Sequence, residues 1–252
     1  MKENKYDHPS FFEAYSHMTR SQKGLEGAGE WHALKQLLPD FKGKRILDLG
    51  CRYGWHCRYA AENGAVFVLG VDLSTKMLAK AQSLTTDQRI HYQNTAIEDL
   101  GFSRESFDIV LSSLALHYIS DFDRLCSRVH RILSSDGAFV FSVEHPIFTA
   151  SGSQDWIYDS QRNKVHWPVD NYFKEGERKT SFLGQEVLKY HRTLDTYMNG
   201  LLNNGFNING FVEPKPEEQM LAQDPDWEEE LRRPMILIIS STKTKLKTPD
   251  RQ

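Results

Sequence analysis

From residue 44 to about 143, short apolar runs alternate with helical patterns. That alternation restricts the fold more than any other feature, because parallel strands need long crossovers and amphipathic helices supply them. Arg45–Leu49 reads as a first strand, followed by a helix over 53–62 that Asn63-Gly64 ends. Residues 66–71 are apolar on both faces, as a strand buried inside a parallel sheet should be. Ser74 is placed to cap a helix carrying Met77, Leu78 and Ala81 at helical spacing. Residues 90–93, 107–113 and 138–143 supply three more strands, with an amphipathic helix over 122–133 and a turn at 134–137. The pattern predicts an α/β, doubly wound, Rossmann-like sheet.

After residue 144 the alternation lapses. Residues 145–190 are rich in Trp, Tyr, Gly and Pro and have no clear period. A loop that long inside a compact domain points to a lid or a small subdomain, and a substrate-lid insertion over 145–192 is the expectation. A helix at Leu194–Asn203, a strand at Phe206–Val212 and a last strand over 235–239 follow. Residues 1–43 read as a helical prefix with Trp31, Leu34, Leu37 and Leu38 on one face, and 242–252 as a flexible polar tail. One domain is expected over 1–252.

Composition narrows the function classes. A formal net charge of -3 disfavours a general nucleic-acid or anionic-membrane surface. No apolar run approaches the roughly 20 residues of a membrane helix, and the first residues carry no apolar stretch of signal-peptide type. The 3 cysteines, Cys51, Cys57 and Cys126, form an odd set without ligand-like spacing, as expected of free thiols in the cytoplasm. Cys51, His56 and Cys57 lack a fourth ligand at structural-zinc spacing, so no metal is expected.

The turn after the first strand carries the chemistry. Ile46-Leu-Asp-Leu-Gly-Cys-Arg-Tyr-Gly54 places Gly50 and Gly54 where a ligand can approach the backbone. Dinucleotide enzymes carry G-x-G-x-x-G there and seat a pyrophosphate on the helix N-terminus. Here Asp48 precedes the first glycine, and a carboxylate repels a pyrophosphate. It suits a ligand that bears an ammonium and a sulfonium, as S-adenosylmethionine does. Asp72, ending the second strand, stands where an acid accepts the two ribose hydroxyl protons.

Asp48–Gly54, residues 71–78, Phe107–Ser113 and residues 133–139 together resemble successive motifs of class I S-adenosylmethionine-dependent methyltransferases, most nearly the UbiE-like, methyltransferase type 11 group. The resemblance implies a seven-stranded sheet of order 3-2-1-4-5-7-6 with the last strand antiparallel. It implies that Asp48, Gly50, Cys51 and Gly54 line the methionyl part of the cofactor. Asp72 would bind the ribose, with Leu73 and Met77 beside the adenosine. Ala96, Ile97 and Glu98 would contact the adenine, and Ser112, Ser113 and Leu114 would flank the transferred methyl. One position departs from the family: Arg52 stands where a second glycine is usual. An arginine adds a cation beside a cationic ligand and sits poorly at φ > 0. Its side chain is free to point to solvent or to pair with an acid.

The acceptor is expected to be a small molecule, attacking in line through O, N or C. Where its nucleophile holds a proton, a histidine near pKa 6.5 could remove it. His117, after the fourth strand, and His145, after the fifth, are the candidates. Tyr118, Trp167 and His191 are the expected substrate contacts. Two other readings stand beside this one: a non-catalytic or regulatory S-adenosylmethionine-binding protein of the same fold, and a nicotinamide-dependent oxidoreductase, against which Asp48 argues. A monomer or homodimer is expected.

Overall fold

The computed structural model describes residues 4–223 and 225–244. Within them the chain opens on three short helices, α1 (Pro9–Ser16), α2 (Thr19–Lys23) and α3 (Trp31–Leu37). The alternation follows as β1 (Arg45–Leu49), α4 (Trp55–Glu62), β2 (Phe67–Asp72), α5 (Thr75–Ser83), β3 (Ile90–Asn94), β4 (Phe107–Ser113), α6 (Phe122–Ile132) and β5 (Leu133–Glu144). Beyond β5 come the one-turn helix α7 (Pro146–Thr149) and two hairpins. The first pairs β6 (Ile157–Tyr158) with β7 (Lys164–His166), the second β8 (Gly176–Phe182) with β9 (Gln185–His191). The chain closes with α8 (Leu194–Asn203), β10 (Phe206–Val212), α9 (Glu218–Gln223) and β11 (Ile236–Lys243).

Seven strands form one sheet in the order β10-β11-β5-β4-β1-β2-β3. The central pairs are parallel, and β11 runs antiparallel to both β5 and β10. This is the expected order 3-2-1-4-5-7-6, with β10 and β11 in the sixth and seventh places. Strand order reverses between β1 and β4, and such a switch point opens a crevice at the carboxyl ends of the strands. Gly50 and Leu114 follow those two ends.

Both faces of the sheet are covered. Leu47, Leu49, Val110, Phe139 and Phe141 pack on Leu125 and Val129 of α6 and on Tyr197 and Leu201 of α8. Ile46, Val68 and Ile109 pack on Ala60 and Ala61 of α4. Each such side chain contributes roughly 1.5–3 kcal/mol on burial, so the strand ends that carry the site rest on a stiff base. Ser74 caps α5 as expected, its Oγ accepting the Met77 N–H at 3.1 Å.

Three boundaries differ from expectation. Strand β5 starts at Leu133 rather than after a turn: Phe107 pairs with Leu133 and Ile109 with Ala138, so residues 134–137 bulge from a continuous strand, with Asp136 at φ 61. Strand β11 continues through Thr242 and Lys243, which pair with Asn207 and Phe206 of β10. The expected tail therefore loses its first residues to the sheet, and 245–252 lie outside the described residues. The region 145–192 holds the two hairpins. No helix among the described residues is long and apolar enough to cross a membrane.

Candidate active site

The loop after β1 is pinned to the end of β2. The N–H groups of Gly50 and Cys51 both donate to the Val71 carbonyl, at 2.8 and 3.0 Å. Gly50 sits at φ 74, and a Cβ there would come within 2.5 Å of the Ala115 Cβ. Only glycine lets this turn pass so close to the segment after β4. Asp72 ties the loop to the next turn. Its Oδ2 accepts the Arg52 N–H and its Oδ1 the Ser74 N–H, both at 2.9 Å. Burial pushes its carboxyl above the usual range, against the pull of those two N–H groups. A carboxylate has roughly four lone-pair sites, so acceptor capacity remains after the two backbone bonds.

Two cavities open at the carboxyl edge of the sheet. The smaller, about 100 Å³, is lined by Gly50, Asp72, Leu73, Ala96, Ile97 and Glu98, and closed by Tyr6, Arg52 and Tyr118. The larger, about 470 Å³, lies on the other side of those same three residues. Leu114, His117 and Glu144 line it from the ends of β4 and β5, with aromatic walls from Tyr15, Phe182 and Trp227. The Tyr6 and Tyr118 hydroxyls stand 3.4 Å apart on the dividing wall.

Comparison with known proteins bears on this arrangement. Residues 47–141 match the family model of the methyltransferase domain. The crystal structure of an S-adenosylmethionine-dependent methyltransferase from Mesorhizobium loti is 46% identical, covering 87% of this chain and 100% of that one at a TM-score of 0.82. A Listeria monocytogenes protein assigned to the same enzymes is 55% identical, covering 88% of this chain and 100% of that one at a TM-score of 0.84. An uncharacterized protein from Haemophilus influenzae is 36% identical over 249 residues, 94% of this chain and 96% of that one. The chain belongs to the class I S-adenosylmethionine-dependent methyltransferases. S-adenosylmethionine is accordingly its methyl donor, and a nicotinamide-dependent activity drops out.

Within this methyltransferase the expected cofactor residues divide. Gly50, Asp72, Leu73, Ala96, Ile97 and Glu98 converge on the smaller cavity. Cys51 and Ser113 line a minor cleft beside it, and Leu114 lines the larger cavity. Asp48 lies under the loop, 1% exposed, and lines none of these cavities. Gly54 turns its open side to Tyr92, Met77 is sealed in a cluster with Tyr15 and Tyr53, and the Ser112 hydroxyl donates to Leu49 O at 2.8 Å. These last three shape the loop and strand end from behind.

The site also uses residues that the sequence did not mark. Asn4, Lys5 and Tyr6 close the smaller cavity, with Ala115, Ile119 and Val187. The N-terminal segment is held there by Asp7, whose carboxylate accepts the Ser74 hydroxyl at 2.6 Å and the Lys76 N–H at 3.1 Å. An acid next to the start of a helix is the one readable signal, and its helix lies 68 residues away.

The three expected histidines sit in different surroundings. His117 does line the larger cavity, 3% exposed, and its Nδ1 accepts the Glu144 N–H at 3.3 Å. Burial drives its pKa down to about 3, with Glu144 opposing and Lys189, Arg52 and Arg192 adding to the fall. It is neutral at cellular pH but a far weaker base than the expected value near 6.5 implies. His145 is occupied structurally: Nδ1 accepts the Ile147 N–H at 3.0 Å to cap α7, and Nε2 lies 2.8 Å from Glu213. His191 spends both nitrogens on Thr149 Oγ1, at 2.7 Å, and on Tyr172 O, at 2.8 Å. Trp167 stacks on Phe148 under the Arg233 guanidinium. Of the expected substrate contacts only Tyr118 reaches the two cavities.

Asp48 yields a pH prediction. Burial raises its carboxyl to about 7, with partial relief from a Cys57 hydrogen bond and the Arg52 charge. Its folded pKa thus exceeds its unfolded value. The stability it contributes is fully present below about pH 4 and is lost as the pH rises through 7. Asp48→Asn mimics the protonated form. Its stability is expected to match that of the wild type near pH 4 and to exceed it at pH 8, by on the order of 2 kcal/mol. Thermal melts across that range check this; a gain that does not vary with pH would show that Asp48 does not titrate there.

Proposed function

We propose that this methyltransferase acts on a small molecule seated in the larger cavity, with the adenosyl part of the cofactor in the smaller one. The observation that carries the reading is the meeting of the two cavities at Tyr6, Arg52 and Tyr118. Donor and acceptor held on either side of such a junction face one another, and orientation of this kind accounts for much of catalysis in displacement reactions. The residues fit the cofactor. Gly50 allows close approach, Asp72 has acceptor capacity for ribose hydroxyls, and Leu73, Ala96 and Ile97 offer apolar surface to a purine.

When bound, the cofactor supplies a methyl group already activated by its sulfonium. The chain supplies placement and exclusion of water. His117 presents a neutral ring, and Glu144 is held ionised: burial would raise its pKa, but the Lys189 ammonium, 2.5 Å away, and the Gln154 amide, at 2.8 Å, lower it. Neither is tuned near neutral pH, where a general base works best. The site therefore favours an acceptor that arrives with its nucleophile free, such as an amine or a thiolate.

Isothermal titration with S-adenosylhomocysteine, followed by tritiated-methyl transfer into a metabolite extract, tests the proposal. Heat in the first and label in low-mass products in the second are expected. No heat at millimolar ligand with folded protein would overturn cofactor placement. Label confined to macromolecules would overturn the small-molecule acceptor. Absence of label from every fraction would favour the non-catalytic reading.

A further inference from the structure

We propose that Arg52 is a carboxylate-binding residue at the junction of the two cavities, and that the carboxylate it takes is that of the cofactor's methionyl arm. The inference rests on the cofactor reading above. Arg52 holds φ at 49, between Gly50 and Gly54, where a residue with a Cβ is strained by about 1 kcal/mol. Its side chain neither extends to solvent nor pairs with an acid. It is half-buried, donates from Nη2 to the Leu114 carbonyl at 2.5 Å, and lies 6.0 Å from the Tyr15 ring.

Two neighbouring cations are paired: Arg20, which lines the larger cavity, holds Glu30, and Lys189 holds Glu144 on its wall. No carboxylate among the described residues forms an ion pair with the Arg52 guanidinium. A guanidinium carries five N–H donors in a planar fork that matches a carboxylate, and here a single protein carbonyl uses them. Asp48 and Asp72 attract the guanidinium without forming an ion pair with it, so its donors stay open to a carboxylate that a ligand brings.

Position selects the ligand. The Arg52 N–H is bonded to Asp72, so the side chain starts beside the ribose acceptor. Its far end reaches the carbonyl just past β4, beside the larger cavity. It therefore runs along the interval that the methionyl arm has to cross. The arm's ammonium and sulfonium would repel the guanidinium, while its carboxylate would replace the bond to Leu114 O. The family's usual glycine offers no such partner, so Arg52 is read as a gain at this position. An acid group on the acceptor is the other source of a carboxylate here, entering from the larger cavity.

The test uses the full chain as wild type, Arg52→Lys and Arg52→Gly. Each is titrated with S-adenosylhomocysteine, with its decarboxylated analogue, and with 5′-methylthioadenosine, which lacks the whole arm. Arg52→Gly relieves backbone strain, so it should fold with an unchanged or higher melting temperature. It is expected to lose about 10- to 100-fold in affinity for S-adenosylhomocysteine, the range for a hydrogen bond between charged groups. Its affinity for 5′-methylthioadenosine should be unchanged and that for the decarboxylated analogue unchanged or higher, and Arg52→Lys should fall between wild type and Arg52→Gly for S-adenosylhomocysteine. Equal losses for all three ligands, or none for any, overturn the proposal. A fourth titration adds benzoate to protein saturated with S-adenosylhomocysteine. Benzoate binding that requires Arg52, with S-adenosylhomocysteine affinity unaffected by the substitution, moves the carboxylate to the acceptor and overturns the assignment to the cofactor. Wild type that binds none of the adenosyl ligands defeats the cofactor reading itself, and this inference with it.

Discussion

Asp72→Ala is expected to lower affinity for S-adenosylhomocysteine by about 100-fold or more, the largest loss from any one side chain at the site. Three effects act together. The ribose loses an ionic acceptor, which is worth about 1.5–3 kcal/mol for a bond to a charged group. The Arg52 and Ser74 N–H groups lose the oxygens they donate to, and each orphaned donor costs roughly 1–3 kcal/mol if water cannot reach it. The loop carrying Gly50 then loses one of its ties to β2 and keeps the bonds to Val71 O and Leu114 O, so the cavity wall loosens as well. Asp72→Asn keeps the shape and one good acceptor, and should fall between wild type and alanine. There is a pH signature. The Asp72 pKa is raised by burial, so wild-type affinity should decline on acidification before an ordinary aspartate would protonate, and the asparagine variant should lack that decline. Titration calorimetry with circular dichroism as the folding control checks all three. Binding by Asp72→Ala within threefold of wild type would remove Asp72 from the site.

What the sequence shows follows from how local each signal is. Strands β1, β2 and β4 are legible because they are buried on both faces, which enforces an apolar run whatever the partner. The residues after them are legible for a related reason: Gly50 and Asp72 act through backbone geometry and hydrogen bonds inside two turns. Hairpin β6–β7 is not, because its side chains face water and no period is imposed; β9 does alternate in burial, but Lys189 and His191 stand at buried positions and hide the apolar period. Tyr6 could not be assigned, since it meets Tyr118 112 residues away through an anchor on α5. The histidines show the limit most clearly. Sequence supplies the imidazole, but Glu144, Lys189 and Arg192, from β5, β9 and the turn beyond, set how His117 titrates. His145 and His191 lie at positions a base could occupy, yet the Ile147 N–H takes Nδ1 of His145, with Glu213 2.8 Å from its Nε2, and Thr149 and Tyr172 take both nitrogens of His191. Arg52 departs from the family pattern at a place where local rules predict strain, and such departures concentrate where function outweighs local preference.

Gly54→Ala should destabilise the fold by about 2–4 kcal/mol, or roughly 5–15 °C in melting temperature for a chain of this size. Gly54 is the left-handed residue that starts α4, at φ 70, and alanine is strained there by about 1 kcal/mol. The remainder is steric. A Cβ at Gly54 would overlap the Tyr92 hydroxyl and come within 2.8 Å of its Cζ. That phenol cannot swing away freely, because its hydroxyl is bonded to Thr85 Oγ1 at 2.9 Å. The two contributions separate in a double-mutant cycle. In a Tyr92→Leu background, which has no atoms at the hydroxyl position, Gly54→Ala should cost only the backbone part, about 1 kcal/mol. If the cost is the same in both backgrounds, Tyr92 does not press on the loop, and the glycine is required for its dihedral angles alone. Affinity gives an independent measure. Gly54 lines neither cavity, so S-adenosylhomocysteine binding by the folded variant should weaken only as far as displacement of α4 moves Gly50 and Arg52, and the Tyr92→Leu background should restore it.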